Sequence, residues 1–459
     1  MNPFLAIPLL ALSAWPAQEA PAQEVSAQET PAPPSAAERL PGLIEAFRVE
    51  FEVPGISVAV AHAGELVFEG GFGLADVEND VAASADTVYR IASLTKQFTA
   101  AAVLRLEEQD KLKLDDDFTQ YVDALDTGEH VVTIRQLLNH TSGIPNVTEI
   151  VEWRDNWEQH LAPQEVVAYV AWKEFDFEPG TKFAYNNTAY IIAGLLVEDR
   201  AGVPYAEYLE TSFFEPLGLS TLQYESPGVI VPHRAHGYTR NGAVLRNADW
   251  ISMTQPFSAG ALLSTAEDLV RWQLALAGGE VVTPESYSRL ITPTLLPDGE
   301  STGYGFGLAI TEAHGELEIS HSGGINGFAS FLSHLPGEEL VVAVLGNSDV
   351  FEPAALARRI EGLFLFPEVV ALPVSEPLAS KLVGRYVGED LELSVRARDG
   401  VLRLDWAGQG VSTLLHQGAG EFRCVDDQRR RLVFDLEGDA SAGVRVFFEG
   451  REVVAERQS

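Results

Sequence analysis

Strand-like segments lie at both ends of a long stretch with helical patterns, and this arrangement restricts the possible folds more than any other feature. Near the start, Ile56–Val60 and Leu66–Phe68 are β-rich runs separated by turn residues 62–65, which predicts a hairpin. Strand character returns much later, at Leu317–Ser320, Ala329–His334 and Leu340–Leu345. Segments so far apart predict one sheet assembled from distant parts of the chain, with a helical insertion beside it.

The region between these strands is dominated by helical spacing. From Leu94 to Gln109, apolar side chains recur at intervals that place them on one face of a helix. Further helical stretches run over Pro163–Trp172 and Ala189–Arg200, and another, Pro353–Leu363, follows the last strand. We therefore expect an α/β protein of the α+β type, in which helices flank the sheet.

The first residues differ in composition from the rest of the chain. Residues 1–22 contain an apolar run shorter than the roughly 20 residues that span a bilayer, and they are predicted to be a signal peptide, although no Lys or Arg precedes the run. Residues 23–37 are rich in Ala, Pro, Gln and Glu, which predicts a flexible linker. We therefore expect an exported protein, periplasmic or extracellular, without a stable membrane span.

The last part of the chain has a different pattern again. After Pro373, short strands separated by glycine turns recur at Leu391–Val395, Val401–Trp406, Arg431–Leu436 and Val444–Phe448. Regular short strands of this kind predict a small antiparallel barrel or sandwich. We therefore divide the chain into a main domain at residues 38–372 and a C-terminal β-domain at residues 373–459.

Charge and composition exclude several classes of function. The chain has 67 acidic and 31 basic residues, a net charge of −36, which argues against binding to nucleic acid. Its single cysteine, Cys424, excludes an internal disulfide and a cysteine-based zinc site. The sequence has no HExxH motif and no GxGxxG after a strand, so we expect neither a metal nor an organic cofactor. The expected partner is a small-molecule or peptide substrate.

Ser93 and Lys96 form the first candidate site, because a serine and a lysine three apart share one face of a helix. A lysine near the positive end of a helix loses its proton more easily when it is buried, and it can then act as a base. The alternative interpretation is a helix-capping serine beside a solvated lysine. No other Ser-x-x-Lys spacing occurs in the chain.

Two further motifs carry polar groups that could bind a substrate. Tyr185 and Asn187 are two apart after a turn, so a phenol and an amide can point the same way, although a buried tyrosine with a turn asparagine fits equally well. The run His321-Ser322-Gly323-Gly324 follows a predicted strand, and its glycines would allow a substrate to approach the strand edge. A similar run, residues 140–143, lies in a loop that closes with a proline, and we interpret it as a decoy.

These three motifs, in this order, resemble those of the serine β-lactamase and penicillin-binding protein superfamily. Four flanking segments are also similar: Tyr89–Ala92, Leu137–Gly143, Ser264–Leu269 and Tyr304–Gly307. The class C β-lactamase-like branch, with its D-alanyl-D-alanine carboxypeptidases, D-aminopeptidases and esterases, is the most similar, and the resemblance covers residues 38–366. It implies an antiparallel sheet flanked by helices with a helical insertion, and the tail is similar to the lipocalin-like barrel of some of these hydrolases.

The resemblance implies an exported serine hydrolase that acts through an acyl-enzyme on an ester, amide, D-peptide or β-lactam carbonyl. The roles that it implies are catalysis for Ser93, Lys96 and Tyr185, substrate binding for Asn187, His321, Ser322 and Gly323, and a backbone oxyanion hole for Ser93 and Gly324. β-Lactamases of this branch have lysine in place of His321, and no Glu-x-x-Leu-Asn deacylation motif is present, which counts against efficient β-lactam turnover. A receptor that acylates without turnover and a non-catalytic binding protein remain as alternatives.

Overall fold

A computed structural model of the chain describes residues 35–369, 371–389, 391–398, 401–408, 410–425, 427–436, 440–448 and 451–458. The predicted signal peptide and most of the predicted linker lie outside the described residues. The first described element is a helix that begins at Ala36, because Ser35 and Glu38 form a capping box at its start. Residues 36 and 37, at the end of the predicted linker, are therefore helical.

Twelve α-helices are present among the described residues. They are α1 (Ala36–Glu50), α2 (Thr95–Glu108), α3 (Ile134–Leu138), α4 (Val151–Arg154), α5 (Pro163–Ala168), α6 (Asn187–Ala201), α7 (Tyr205–Leu209), α8 (Glu215–Leu217), α9 (Ala266–Ala277), α10 (Pro284–Leu290), α11 (Pro353–Leu365) and α12 (Glu376–Leu382). None of the helices in the described ranges combines the length and the apolar character needed to cross a bilayer.

The strands fall into a central sheet, two small sheets and a C-terminal barrel. They are β1 (Gly55–His62), β2 (Glu65–Asp76), β3 (Val81–Ala82), β4 (Tyr89–Arg90), β5 (Gln223–Tyr224), β6 (Tyr238–Asn241), β7 (Val244–Asn247), β8 (Leu262–Ser264), β9 (Ala309–Ala313), β10 (Glu316–Ile325), β11 (Phe328–Leu335), β12 (Leu340–Gly346), β13 (Gly384–Val387), β14 (Glu392–Arg398), β15 (Val401–Trp406), β16 (Gly410–Gly418), β17 (Glu421–Cys424), β18 (Arg431–Phe434), β19 (Gly443–Phe448) and β20 (Arg451–Arg457).

The central sheet is antiparallel and joins the two ends of the main domain, as the sequence predicts. Its strand order is β3-β2-β1-β12-β11-β10-β9, and β1 pairs with β12 so that Ala59 faces Ala343. Side chains of β1 alternate between two cores. Ile56 and Val58 pack on the side of α1 and α11, whereas Ala59 belongs to the larger core that also contains α2, α6 and α9.

The first hairpin turns through Ala63 and Gly64, which both have positive φ, at 53° and 78°. Such a two-residue turn matches the right-handed twist of the strands that it joins. Strand β2 continues past Phe68, where the sequence prediction ends. Its glycines interrupt the apolar pattern from which the strand was predicted, but they still pair with β1. Gly71 pairs with Ser57, and a Cβ atom at Gly71 would lie 2.3 Å from the backbone nitrogen of Ser84.

The C-terminal region is a closed antiparallel barrel of eight strands, β13 to β20, in which β13 also pairs with β20. The barrel has its own apolar core, which includes Leu393, Phe422 and Leu432. The sequence analysis predicts four of these strands and misses the other four, β13, β16, β17 and β20. The barrel contacts the main domain through ion pairs of Arg403 with Glu50 and of Arg429 with Glu312.

Candidate active site

Ser93 lies in a tight turn between the small sheet and α2. Residues Ala92–Leu94 form a 3₁₀ turn, and the α-helix begins only at Thr95. Ala92 has a φ of 48°, a left-handed conformation that costs a non-glycine residue roughly 1–2 kcal/mol. The serine therefore sits on a strained turn at the start of α2.

Strands β10 and β11 fix the position of this turn. The hydroxyl of Ser330 donates a hydrogen bond to the Ile91 carbonyl at 2.9 Å. Gly323 is buried against the same carbonyl, and a Cβ atom at Gly323 would lie only 2.3 Å from the Ile91 oxygen. The structure therefore places Gly323 against the turn that carries Ser93, where it makes room for the backbone, and not on the substrate side as the sequence analysis expects.

Lys96 is fully buried beside Ser93. Its Nζ lies 3.1 Å from Ser93 Oγ, 2.9 Å from Asn187 Oδ1 and 2.8 Å from the Ala259 carbonyl oxygen. None of these neighbours is a carboxylate, and burial lowers the pKa of Lys96 well below its ordinary value. A neutral amine has two N–H groups, which the amide and carbonyl oxygens accept, so its lone pair is left for the Ser93 hydroxyl.

Tyr185 approaches the same serine from the loop before α6. Its phenol interacts with Ser93, and the Lys96 Nζ lies 4.8 Å from the centre of its ring. Burial raises the pKa of Tyr185 above its ordinary value, and the hydrogen bond with Ser93 offsets only part of this effect. Tyr185 is therefore a neutral phenol at physiological pH, able to pass a proton but not to act as an independent anionic base.

Asn187 is the first residue of α6, whose N-terminus is capped by Asn186. Its Oδ1 accepts from Lys96, and its Nδ2 donates to Thr148 Oγ1 at a long 3.4 Å. Asn187 also lines the cavity described below. The structure thus gives this residue a direct contact with the lysine, which the sequence analysis does not predict; its contact with substrate stays a prediction.

His321 lies on β10 and is buried, and both of its ring nitrogens have partners. Nδ1 lies 2.6 Å from the Ser322 carbonyl oxygen and Nε2 lies 2.9 Å from the Tyr304 hydroxyl. Because a carbonyl can only accept, Nδ1 carries the proton and Nε2 accepts from Tyr304. Burial lowers the pKa of His321 to about 3. The prediction that His321 holds the end of the substrate does not fit this geometry, since neither nitrogen is free; its neighbour Ser322 is exposed.

His140, which the sequence analysis sets aside as a decoy, lies directly behind Tyr185. Its Nδ1 accepts a hydrogen bond from the Asn186 backbone N–H at 3.0 Å, and its ring centre is 4.3 Å from that of Tyr185 and 4.8 Å from that of Tyr304. His140 therefore supports the loop that presents Tyr185 and Asn187. The signal that could have identified it is its segment, Leu137–Gly143, which is among those similar to the superfamily.

A cavity of about 440 Å³ opens beside Ser93. Ser93 and Gly324 both line it, and apart from Gly324 and its two chain neighbours no atom of the described residues lies within 4 Å of the position of a Gly324 Cβ. The space beside Gly324 is therefore open to a ligand. The far wall is largely apolar and includes Trp153, Trp157 and Ile251.

One group of possible metal ligands occurs among the described residues, outside this cavity. Ligand atoms of Asp76, Glu78 and His236 lie within 4.8 Å of one another. The Asp76 carboxylate already accepts from the backbone N–H groups of Glu78 and Asn79 and from the Asn79 amide. These hydrogen bonds show that the Asp76 carboxylate stabilises a turn, and we assign no metal to these three residues.

Comparison with known proteins matches the chain to a family and to similar folds. A family model described as Beta-lactamase matches residues 40–364. The D-aminopeptidase of Gluconobacter oxydans (strain 621H) is 29% identical over 382 residues, covering 79% of this chain and 68% of the relative. Penicillin-binding protein 4* of Bacillus subtilis (strain 168) is 26% identical over 433 residues, covering 87% of this chain and 94% of the relative.

Two solved structures have similar folds. The octameric penicillin-binding protein homologue from Pyrococcus abyssi gives a TM-score of 0.65 at 27% identity and covers 91% of this chain and 99% of its own. A D-stereospecific amidohydrolase from Streptomyces sp. gives a TM-score of 0.62 at 25% identity and covers 73% of this chain and 99% of its own. The Pyrococcus abyssi structure covers more of this chain than the family model does, so part of the structural similarity lies in the C-terminal barrel.

Proposed function

The chain belongs to the beta-lactamase family, and we propose that it is a serine hydrolase that forms an acyl-enzyme on Ser93. The observation that carries this proposal is the 3.1 Å separation of Ser93 Oγ from the Nζ of a buried lysine with no carboxylate partner among the described residues. Relatives named D-aminopeptidase and D-stereospecific amidohydrolase support hydrolase activity on an amide or peptide.

In the proposed acylation step, Ser93 Oγ forms a bond to the substrate carbonyl carbon while its proton passes to the neutral Lys96 amine. The negative charge that develops on the carbonyl oxygen would be met by the backbone N–H groups of Ser93 and Gly324. As the intermediate collapses, the bond to the leaving group breaks, and the Tyr185 phenol delivers the proton to the leaving nitrogen or oxygen while taking one from Lys96. In the proposed deacylation step, water forms a bond to the acyl carbon and gives a proton to Lys96; the bond from that carbon to Ser93 Oγ then breaks, and Ser93 Oγ takes the proton back.

The substrate classes that we propose are amides and D-peptides, ahead of esters and β-lactams. The names of two relatives favour the first pair, whereas relatives named penicillin-binding protein favour β-lactams as acylating compounds. We also propose export, on the sequence of residues 1–22 alone. The second candidate function is a penicillin-binding-type receptor that acylates on Ser93 and releases the acyl group too slowly for turnover.

Pre-steady-state kinetics separates these two candidates. The wild-type protein is mixed with D-amino acid amides, D-peptides, esters and β-lactams, and product release is followed from the first turnover. A hydrolase gives continued turnover after any burst, whereas a receptor gives one equivalent of product per protein and stops. If no compound yields either a burst or turnover, and Ser93 is not labelled by a fluorophosphonate, the protein is a non-catalytic binding protein.

A further inference from the structure

The cavity beside Ser93 contains one charged side chain among the described residues that line it, Arg154 at the end of α4. Its Nε donates a hydrogen bond to the Thr148 carbonyl at 2.8 Å, and this bond holds the guanidinium at the cavity wall. Thr148 in turn accepts from Asn187 through its hydroxyl. Thr148 therefore links Arg154 to Asn187, the residue that contacts Lys96.

The two terminal nitrogens of this guanidinium are free. Over the described ranges, Arg154 forms no ion pair, although Glu152 and Asp155 are exposed on the same short segment. A planar guanidinium with free N–H donors matches the geometry of a carboxylate.

Among the described residues of the site, no other side chain offers a positive charge to a carboxylate. His321 is neutral and has both nitrogens occupied, and Lys96 is neutral and buried. No acidic side chain of the described residues lines the cavity, so no carboxylate there would pair with an ammonium group. The indoles of Trp153 and Trp157, whose centres are 6.1 Å apart, make an apolar wall next to the guanidinium.

We infer that Arg154 binds a carboxylate of the substrate, so that the Ser93 cavity selects acyl compounds that carry a free carboxylate over those that carry a free ammonium. This inference rests on the proposed function and names the substrate class of the same site. It departs from the substrate of an aminopeptidase, since a terminal ammonium in this position would be repelled by the guanidinium. The apolar wall favours probes with a large apolar side chain.

The test uses a matched pair of probes, an N-succinyl-D-phenylalanyl amide, whose acyl part carries the carboxylate, and the same amide with succinamide in place of succinate as its carboxamide, together with the N-acetyl and free-amine forms of the same D-phenylalanyl amide. For each probe, the second-order rate constant of Ser93 acylation and kcat/KM are measured. Wild-type protein is compared with Arg154→Ala, Arg154→Lys and Arg154→Glu. Arg396→Ala, on the exposed surface of the barrel, removes the same charge at a distance and serves as control.

We expect Arg154→Ala to lower the carboxylate-to-carboxamide ratio of rate constants about tenfold, the lower end of the range for a charge-assisted hydrogen bond, because Arg154 is exposed. Arg154→Glu should lower it further, Arg154→Lys should restore part of it, and Arg396→Ala should leave it unchanged.

If wild-type acylation depends on Ser93 but the ratio is the same in Arg154→Ala and Arg154→Glu, the inference is wrong and the proposed function stands. Should no probe acylate Ser93, the proposed function fails and the inference with it.

Discussion

Asn187 Oδ1 lies 2.9 Å from Lys96 Nζ, which joins the first residue of α6 to the second residue of α2 at the active site. A neutral amide accepts from the lysine without adding negative charge. The lysine therefore keeps the low pKa that burial produces. The charge of the side chain at position 187 therefore controls the pKa of Lys96, the proposed base.

Replacing Asn187 by Asp should place a carboxylate next to the lysine. An adjacent negative charge favours the ammonium form, so the pKa of Lys96 should rise and the acid limb of the acylation rate should move to higher pH. The rate constant of Ser93 acylation is measured from pH 5 to pH 10. Asn187→Ala, which adds no charge, serves as control and should lower the rate without moving the limb upward. An unshifted limb in Asn187→Asp would show that Lys96 is not the base.

Gly323 and Gly324 are adjacent but should respond differently to a methyl group. In Gly323→Ala the new Cβ would meet the Ile91 oxygen at 2.3 Å and Ser330 Oγ at 2.2 Å, so the turn that carries Ser93 must shift. We expect lower stability in urea unfolding and weaker acylation. Gly324→Ala has open space for its methyl group and should unfold like the wild type, while acylation falls because the methyl group enters the substrate's space. Equal unfolding midpoints for the two variants would contradict this assignment.

Buried neutral histidines should make the protein sensitive to mild acid. Burial lowers the pKa of His321 to about 3 and that of His334 to about 4, both below the value of about 6.5 in an unfolded chain. The unfolded state therefore binds more protons, and stability falls as pH drops from about 6.5 towards 4. Each histidine contributes a slope of up to about 1.4 kcal/mol per pH unit.

The free energy of unfolding, measured in urea from pH 7.5 to pH 5, checks this expectation. His334→Gln should have a shallower slope than the wild type, whereas the partly exposed His416 gives a control, His416→Gln, with the wild-type slope. A wild-type stability that is flat over this range would mean that these histidines are accessible to protons in the folded state.

The main domain should fold without the barrel. The barrel core is a separate cluster of buried side chains, and the polar contacts between the two parts include the partly exposed pairs Arg403–Glu50 and Arg429–Glu312. Exposed ion pairs stabilise a protein by about 1 kcal/mol or less. A chain that ends at Leu372 should therefore remain soluble and acylate at Ser93 at the wild-type rate. Aggregation of the shortened chain would show that the barrel covers apolar surface of the main domain.

Local spacing explains why part of the site could be predicted from the sequence. Ser93 and Lys96 are three residues apart, and Tyr185 and Asn187 are two apart, so the short separation along the chain keeps each pair close in space, although Ser93 precedes α2 and Asn187 begins α6. The motif order then identified the family and with it the antiparallel sheet. These features do not depend on how distant segments pack.

The remaining features arise from packing between distant segments. His140, Tyr304 and His321 come from three separate parts of the chain, and only the folded structure shows that Tyr304 occupies the His321 nitrogen. Burial then sets the charge of His321, which composition cannot reveal. Strand β16 was missed because a polar residue, Ser412, faces the barrel core next to Leu414, which breaks the apolar pattern, and β17 was missed because it has only four residues.

The most direct test of the account is the mass of the protein after reaction with an activated acyl substrate, followed by peptide mapping. The account predicts one acyl group per chain, located on the peptide that contains Ser93, and no added mass on Ser93→Ala, which should have no turnover. Ser93→Ala should unfold like the wild type, so that the loss is chemical. An acyl group on another residue, or turnover by Ser93→Ala close to that of the wild type, would contradict the account.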